Sequence, residues 1–245
     1  MSLKIKNLTG GYGHLPVLKD INFEVSSGEL VGLIGLNGAG KSTTIKNIIG
    51  LLTPQKGEIT IDDEQLTTNP SVYRKKIGYI PETPALYEEL TLKEHIEITC
   101  MAYDIPLEEG MKRAESLLKT FRLENKLEWF PSNFSKGMKQ KVMILCAFLI
   151  EPSLYIIDEP FLGLDPLAIH ALLELMNEMK EQGAAILMST HILATAEKYC
   201  DRFVVLHEGK IRAIGTMSEL RQEFNLPNAS LDEFYVKLTE EEGIA

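Results

Sequence analysis

One octapeptide, Gly35-Leu36-Asn37-Gly38-Ala39-Gly40-Lys41-Ser42, constrains this chain more than anything else in it. It fits the pattern G-x-x-x-x-G-K-[ST], in which a glycine-rich loop wraps a phosphate chain. The flanks supply the context that the pattern needs. An apolar run, Leu30 to Ile34, reads as a buried strand, and Ser42 to Ile49 reads as a helix. Glycines let the backbone turn tightly so that successive N–H groups converge on an anion, and the helix N-terminus adds partial positive charge. The expected phosphate-binding set is therefore Gly35, Leu36, Asn37, Gly38, Ala39, Gly40, Lys41, Ser42 and Thr43. Lys41 is expected to reach the β- and γ-phosphates, and the Ser42 hydroxyl to bind Mg²⁺.

A second element narrows the chemistry. Ile156-Ile157-Asp158-Glu159 is an apolar strand ending in two carboxylates, and strand ends of open α/β sheets face the ligand crevice. Asp158 is suited to hold Mg²⁺, directly or through water. Glu159 is placed to orient or deprotonate an attacking water. A helix-capping Asp-Glu pair is the competing reading. It fits poorly, because Leu154 to Ile157 reads as a strand and Pro160 follows.

The bulk properties exclude some function classes. The net charge of -10 over 245 residues argues against nucleic acid or anionic lipid as the main partner, since both demand positive surface. Cys100, Cys146 and Cys200 show no paired spacing, which suits a reducing compartment, and their apolar neighbours predict buried, inert thiols. Met1 to Leu8 alternates like a strand rather than a leader. The longest apolar run, Val142 to Ile150, falls short of the roughly 18–20 residues that cross a bilayer.

Alternation predicts strands over 3–8, 21–25, 57–62 and 77–80, with a turn at Ser26-Ser27-Gly28. From Thr91 to Phe130 the character is helical. Thr91-Leu92-Lys93-Glu94 is a capping box, and 107–121 carries apolar residues at helical spacing. Lys136 to Leu149 reads as a helix and Leu154 to Ile157 as a strand. Asp165 to Gln182 reads as a helix with Asp at its N-cap, Pro at N1 and Gly183 past its end. A strand over 184–188, a helix over 192–199 and a hairpin about Glu208-Gly209 follow. Alternating βα units imply a largely parallel sheet.

Further segments resemble those of ABC-type ATPases, in the family's order and over nearly the whole chain. Phe134-Ser135-Lys136-Gly137-Met138-Lys139-Gln140 is similar to the signature loop. Gly163-Leu164-Asp165 resembles the D-loop, and Ser189-Thr190-His191 the switch-histidine loop. Tyr12, in a Gly-Gly-Tyr-Gly turn, sits where the family has an aromatic that stacks on adenine. Tyr79-Ile80-Pro81-Glu82-Thr83-Pro84, taken with the 134–141 segment, resembles the bacterial exporter branch, and within it the ATPases of Ecs-type transporters. The resemblance implies an ABC ATPase fold: a P-loop α/β core with a mostly parallel sheet, an N-terminal antiparallel β portion and a helical subdomain. That subdomain, about 83–150, is inserted in a single nucleotide-binding domain over 1–225. A tail over 226–245 is expected to carry a short amphipathic helix near 231–238.

The resemblance also implies roles. ATP and Mg²⁺ are the expected ligands. Glu159, His191 and Lys41 are the expected catalytic residues, and Ser42, Asp158 and Glu82 the metal ligands. In the signature loop of Ser135, Lys136, Gly137 and Met138, Ser135 and the Gly137 N–H would serve the ATP of a second copy in a head-to-tail homodimer, and Asp165 belongs to the D-loop. The implied partner is an integral membrane subunit, contacted near 82–92, which places the chain at the cytoplasmic face of the membrane. Three departures stand out: Glu82 replaces the usual Gln, Lys136 a Gly and Met138 a Gln. A soluble family member acting on ribosomes or DNA is the alternative. It is disfavoured by the single nucleotide domain, the short interval between P-loop and signature, and the acidic balance. A non-hydrolytic binding module is disfavoured because Lys41, Glu159 and His191 are all present.

Overall fold

In the computed structural model, residues 2–240 are described. Alternating burial along β1 (Leu3–Tyr12) and β2 (Leu15–Val25) gives each strand one apolar face, and the two pair antiparallel across Gly13-His14. All five residues of β3 (Leu30–Ile34) are buried, as its unbroken apolar run demands. The glycine loop then leads into α1 (Lys41–Ile48). After it come β4 (Lys56–Ile61), β5 (Glu64–Gln65), α2 (Pro70–Lys75) and β6 (Ile77–Ile80). The helical block comprises α3 (Leu92–Ala102), α4 (Leu107–Phe121) and α5 (Lys136–Leu149), with two short 3₁₀ turns between α4 and α5. The remainder alternates: β7 (Leu154–Asp158), α6 (Pro166–Glu181), β8 (Ala185–Thr190), α7 (Leu193–Tyr199), β9 (Arg202–His207), β10 (Lys210–Gly215), α8 (Met217–Glu223) and α9 (Leu231–Glu240).

Two sheets result. The first is antiparallel, with order β2-β1-β4-β5. The second has order β10-β9-β3-β8-β7-β6 and is parallel except for the β9–β10 hairpin. Register in the second sheet positions the site. Ile34 pairs with Thr190, Asp158 with Ser189 and Ile80 with Ile157. The C-terminal ends of β3, β8, β7 and β6 therefore lie along one edge, where the loops that follow them converge.

Three apolar clusters hold this arrangement. One joins the helical block to a face of the parallel sheet through residues such as Ile96, Leu145, Phe148 and Tyr155. Another fills the space between the two sheets and around α1. A third lies beneath α9, where Phe234 and Leu238 cover Ile34, Phe203 and Val205.

The structure departs from the sequence reading in three places. The second strand starts at Leu15, six residues before the alternating run at Ile21, because its whole length pairs with β1. Tyr12 is therefore the last residue of a strand, paired with Leu15, and not a turn residue. α2 is only six residues long and α8 only seven, too short for a 3.6-residue period to register. The short helix expected near 231–238 is present as α9, and Met1 and 241–245 lie outside the described residues.

Candidate nucleotide site

The converging loops bound a cleft of about 480 Å³. Its walls include Tyr12, Leu36, Asn37, Gly38, Gly40, Lys41, Ser42, Thr43, Glu82, Glu159 and His191, together with Val17 and Leu162. Gly35 and Ala39 shape the loop from behind. A Cβ on Gly35 would stand 2.5 Å from the Leu206 carbonyl oxygen, so only glycine lets the loop lie against β9 there. Gly40 begins α1 at φ 113°, a conformation that L side chains rarely adopt.

Lys41 is nearly buried. Its ammonium donates to the Gly35 carbonyl at 2.8 Å and the Leu36 carbonyl at 3.4 Å, and lies 4.0 Å from Glu159 Oε1. Burial pulls its pKa below the ordinary lysine value, and the charge of Glu159 opposes that shift. An ammonium seated on backbone carbonyls is poised to exchange them for phosphate oxygens.

Glu159 follows the last residue of β7 with φ 45°, and its N–H donates to the Ser189 carbonyl at 3.1 Å. The carboxylate is thereby turned toward the switch loop. Its Oε2 accepts from the His191 N–H at 3.2 Å and lies 2.7 Å from His191 Nδ1. Neighbouring Asp158 is buried, with its Oδ1 accepting from the Ser189 hydroxyl. Burial raises the Asp158 pKa above the ordinary carboxylate value, and the negative charges of Glu82 and Glu159 push it the same way. Ser189 holds this aspartate in place. Its role was hidden in the sequence because it lies 31 residues away.

The donor set is suited to magnesium. Asp158, Ser42 and Glu82 offer hard oxygens, and the desolvated Asp158 carries a charge that a cation would relieve. Among the described residues no group of three or more His, Cys, Asp or Glu could by itself hold a metal ion. Mg²⁺ keeps waters and substrate phosphate oxygens in its shell, so a few protein oxygens would suffice for it. At the cleft mouth Tyr12 is half exposed, and its hydroxyl accepts from Lys46 Nζ at 3.1 Å. This contact draws its pKa down and steadies the ring.

Ser135, Lys136, Gly137 and Met138 do not line this cleft. They form the N-terminus of α5, where the Ser135 hydroxyl accepts from the Met138 N–H at 3.3 Å. Ser135 and Lys136 are exposed. Gly137 lies hard against the D-loop, since a Cβ there would stand 2.4 Å from the Gly163 carbonyl oxygen. Asp165 also lies outside the cleft. It caps α6 by accepting from the Ala168 N–H at 2.9 Å and pairs with Lys141 of α5 at 2.7 Å. The signature segment and the D-loop are thus one interlocked surface. Two further ties join α5 to the 81–90 loop: Lys139 pairs with Glu88 at 2.8 Å, and the Gln140 amide donates to the Pro81 carbonyl at 3.2 Å.

Comparison with known proteins gives a consistent picture. The family model described as "ABC transporter" matches residues 18–162. The ABC-type transporter ATP-binding protein EcsA of Bacillus subtilis (strain 168) is 62% identical over 241 residues, covering 98% of each chain. The Nod factor export ATP-binding protein I of Rhizobium meliloti (strain 1021) is 37% identical over 209 residues, 85% of this chain and 62% of that one. A solved ATP-binding subunit of an ABC transporter superposes with a TM-score of 0.95 at 62% identity, covering 98% of this chain and 100% of the other. A dimeric ATP-binding cassette in a post-hydrolysis state with ADP and Pi gives a TM-score of 0.79 at 28% identity, covering 88% and 98%.

Proposed function

As this chain belongs to the ABC transporter family and is an ATP-binding, ATP-hydrolysing subunit of such a transporter, we propose that the cleft between Tyr12 and His191 is where it holds and hydrolyses ATP. The observation that carries this reading is the convergence of the Gly35–Ser42 loop, Lys41, Glu159 and His191 on one cleft. Tyr12 stacks on the base. The loop N–H groups and Lys41 hold the phosphates. Ser42, Asp158 and Glu82 would hold the Mg²⁺, which would neutralise charge building on the phosphate oxygens.

Hydrolysis then needs one water in line with the γ-phosphorus. Glu159 accepts the proton of that water as its oxygen bonds to phosphorus and the bond to the β-γ bridging oxygen breaks, leaving ADP and Pi. His191, 2.7 Å from Glu159, steadies the carboxylate and presents its ring to the γ-phosphate.

Dimerisation completes the site. Ser135 and Lys136 are exposed and the signature segment stands away from its own cleft, so a second copy arranged head to tail would bring Ser135 and the Gly137 N–H to the first copy's γ-phosphate. The related cassette solved with ADP and Pi is dimeric, which supports this arrangement.

No helix among the described residues is long and apolar enough to cross a membrane. The subunit is held at the cytoplasmic face by a separate integral membrane protein, which docks on the 82–92 segment, where Tyr87 is well exposed. Transport is outward, as in the export protein from Rhizobium meliloti. Glu159→Gln tests the reading: the variant should retain ATP, hydrolyse it at least ~100-fold more slowly, and run as a dimer in ATP by light scattering. Hydrolysis at the wild-type rate would remove Glu159 from the role of base.

A further inference from the structure

The peptide group joining Gly35 to Leu36 is gripped from both ends. Its carbonyl accepts from Lys41 Nζ at 2.8 Å, and its N–H donates to the Tyr235 hydroxyl at 2.8 Å. The amide is planar and trans, so its C=O and N–H point in opposite directions and holding one end aims the other. Tyr235 comes from α9, 199 residues further along the chain.

The hydroxyl does not follow the loop, because packing fixes it from elsewhere. Tyr235 is buried in the cluster that includes Ile34, Phe203 and Val205, beside Leu231, Phe234 and Leu238 of its own helix. Phe234 meets Phe224 edge to face at 4.7 Å. The start of α9 is tied to α7, where Glu197 accepts from the Leu231 N–H at 2.8 Å and pairs with Arg221 at 3.0 Å. Since α7 follows the His191 loop, α9 bears on both sides of the cleft. Burial raises the phenol pKa, so the hydroxyl stays neutral near pH 7.

We propose that Tyr235 is a positioning residue for the nucleotide: its hydroxyl sets the Gly35–Leu36 peptide so that the first turn of the phosphate loop is formed before ATP arrives. A loop ordered in advance spends less of its binding free energy on ordering. Tyr235 touches no reacting atom, so its contribution falls on ATP affinity and not on the bond-breaking step. This inference rests on the Gly35–Ser42 loop being the ATP site, and the variants below separate the two.

The experiment compares full-length wild type, Tyr235→Phe, Phe224→Leu and Lys41→Ala, by ATP titration calorimetry, steady-state ATPase kinetics and thermal melting. Tyr235→Phe removes one oxygen and preserves the ring. It should raise the ATP Kd and KM roughly three- to tenfold, the effect of one lost hydrogen bond, with kcat within about twofold. Phe224→Leu loosens the packing of α9 without touching the hydroxyl. It should lower Tm and leave Kd within about twofold. Wild-type ATP affinity in Tyr235→Phe, with or without a lower Tm, would overturn the proposal. So would an equal rise in Kd for Phe224→Leu, which would assign the effect to the packing of α9 as a whole. Undiminished ATP affinity in Lys41→Ala would instead remove the site reading on which the proposal stands.

Discussion

Replacing Gly137 by alanine sets two known effects against each other at one atom. Gly137 is the second residue of α5, and alanine in a helix is favoured over glycine by about 1 kcal/mol. Against this stands the D-loop. The added Cβ would lie 2.4 Å from the Gly163 carbonyl oxygen, whereas carbon–oxygen contacts settle at roughly 3.3 Å, so the two segments must part by about 0.9 Å. The D-loop has little room to yield. Gly163 already occupies a positive φ of 84°, and the turn is closed by the Leu164 N–H donating to the Phe161 carbonyl at 3.2 Å. Overpacking of this kind costs about 1–3 kcal/mol, so against the helical gain the net change runs from about zero to a loss of about 2 kcal/mol. For a chain of this length that lowers Tm by at most about 8 °C. The functional effect is larger. A shift of nearly 1 Å in groups that the proposed dimer brings to a γ-phosphate should cut the ATPase rate about 10- to 100-fold. ATP binding by the single subunit should stay within about twofold, because Gly137 is not part of its own cleft. Calorimetry, ATP titration at low protein concentration and steady-state ATPase assays read these three quantities. An alanine variant that melts and hydrolyses like wild type would show that the Gly163 carbonyl gives way freely, and the interlock would carry no functional weight.

Two other outcomes are expected. Glu82→Gln removes a negative charge from the cleft wall that also bears on Lys41 and Asp158, so ATP KM should fall or hold steady and kcat should stay within about threefold; total loss of hydrolysis in ATPase assays would make Glu82 an indispensable metal ligand. Burial pushes the Cys146 thiol from its ordinary value of 9.0 up to about 11, so at pH 8 its thiolate fraction is roughly 100-fold lower than that of an unburied thiol. Raising pH therefore increases its alkylation, and mass spectrometry after iodoacetamide treatment should find part-buried Cys146 labelled far more slowly in the folded protein at pH 8 than after unfolding; equal labelling rates in the two states would contradict the raised pKa.

What the sequence made legible was mostly local. The phosphate loop, the carboxylates ending β7 and the switch loop are each contiguous strings whose residue types announce their chemistry, and strand register then carries them to one edge. Helix signals were readable where caps are strong, as in the Thr91 and Glu94 box and at Asp165-Pro166. Unreadable features were those made by contacts between distant segments. Nothing in Gly137 or Gly163 alone says that they meet, and nothing in Tyr235 says that its hydroxyl reaches Leu36. Tyr12 was assigned to a turn because its glycine neighbours suggest one. The structure keeps it in β1, since Gly11 lets the backbone pack where a Cβ would stand 2.1 Å from the Leu15 carbonyl oxygen. α2 and α8 were missed because six or seven residues span barely two turns.

The ties from α5 to Glu88 and to the Pro81 carbonyl leave from Lys139 and Gln140, four and five residues after Ser135. At 1.5 Å per residue that is about 6–8 Å of helix between the segment proposed to meet a membrane protein and the serine proposed to meet a second copy's nucleotide. On that proposal, a tug on the 81–90 loop would reach Ser135 through little more than one rigid turn. Docking and the grip on nucleotide would then be two ends of the same short lever.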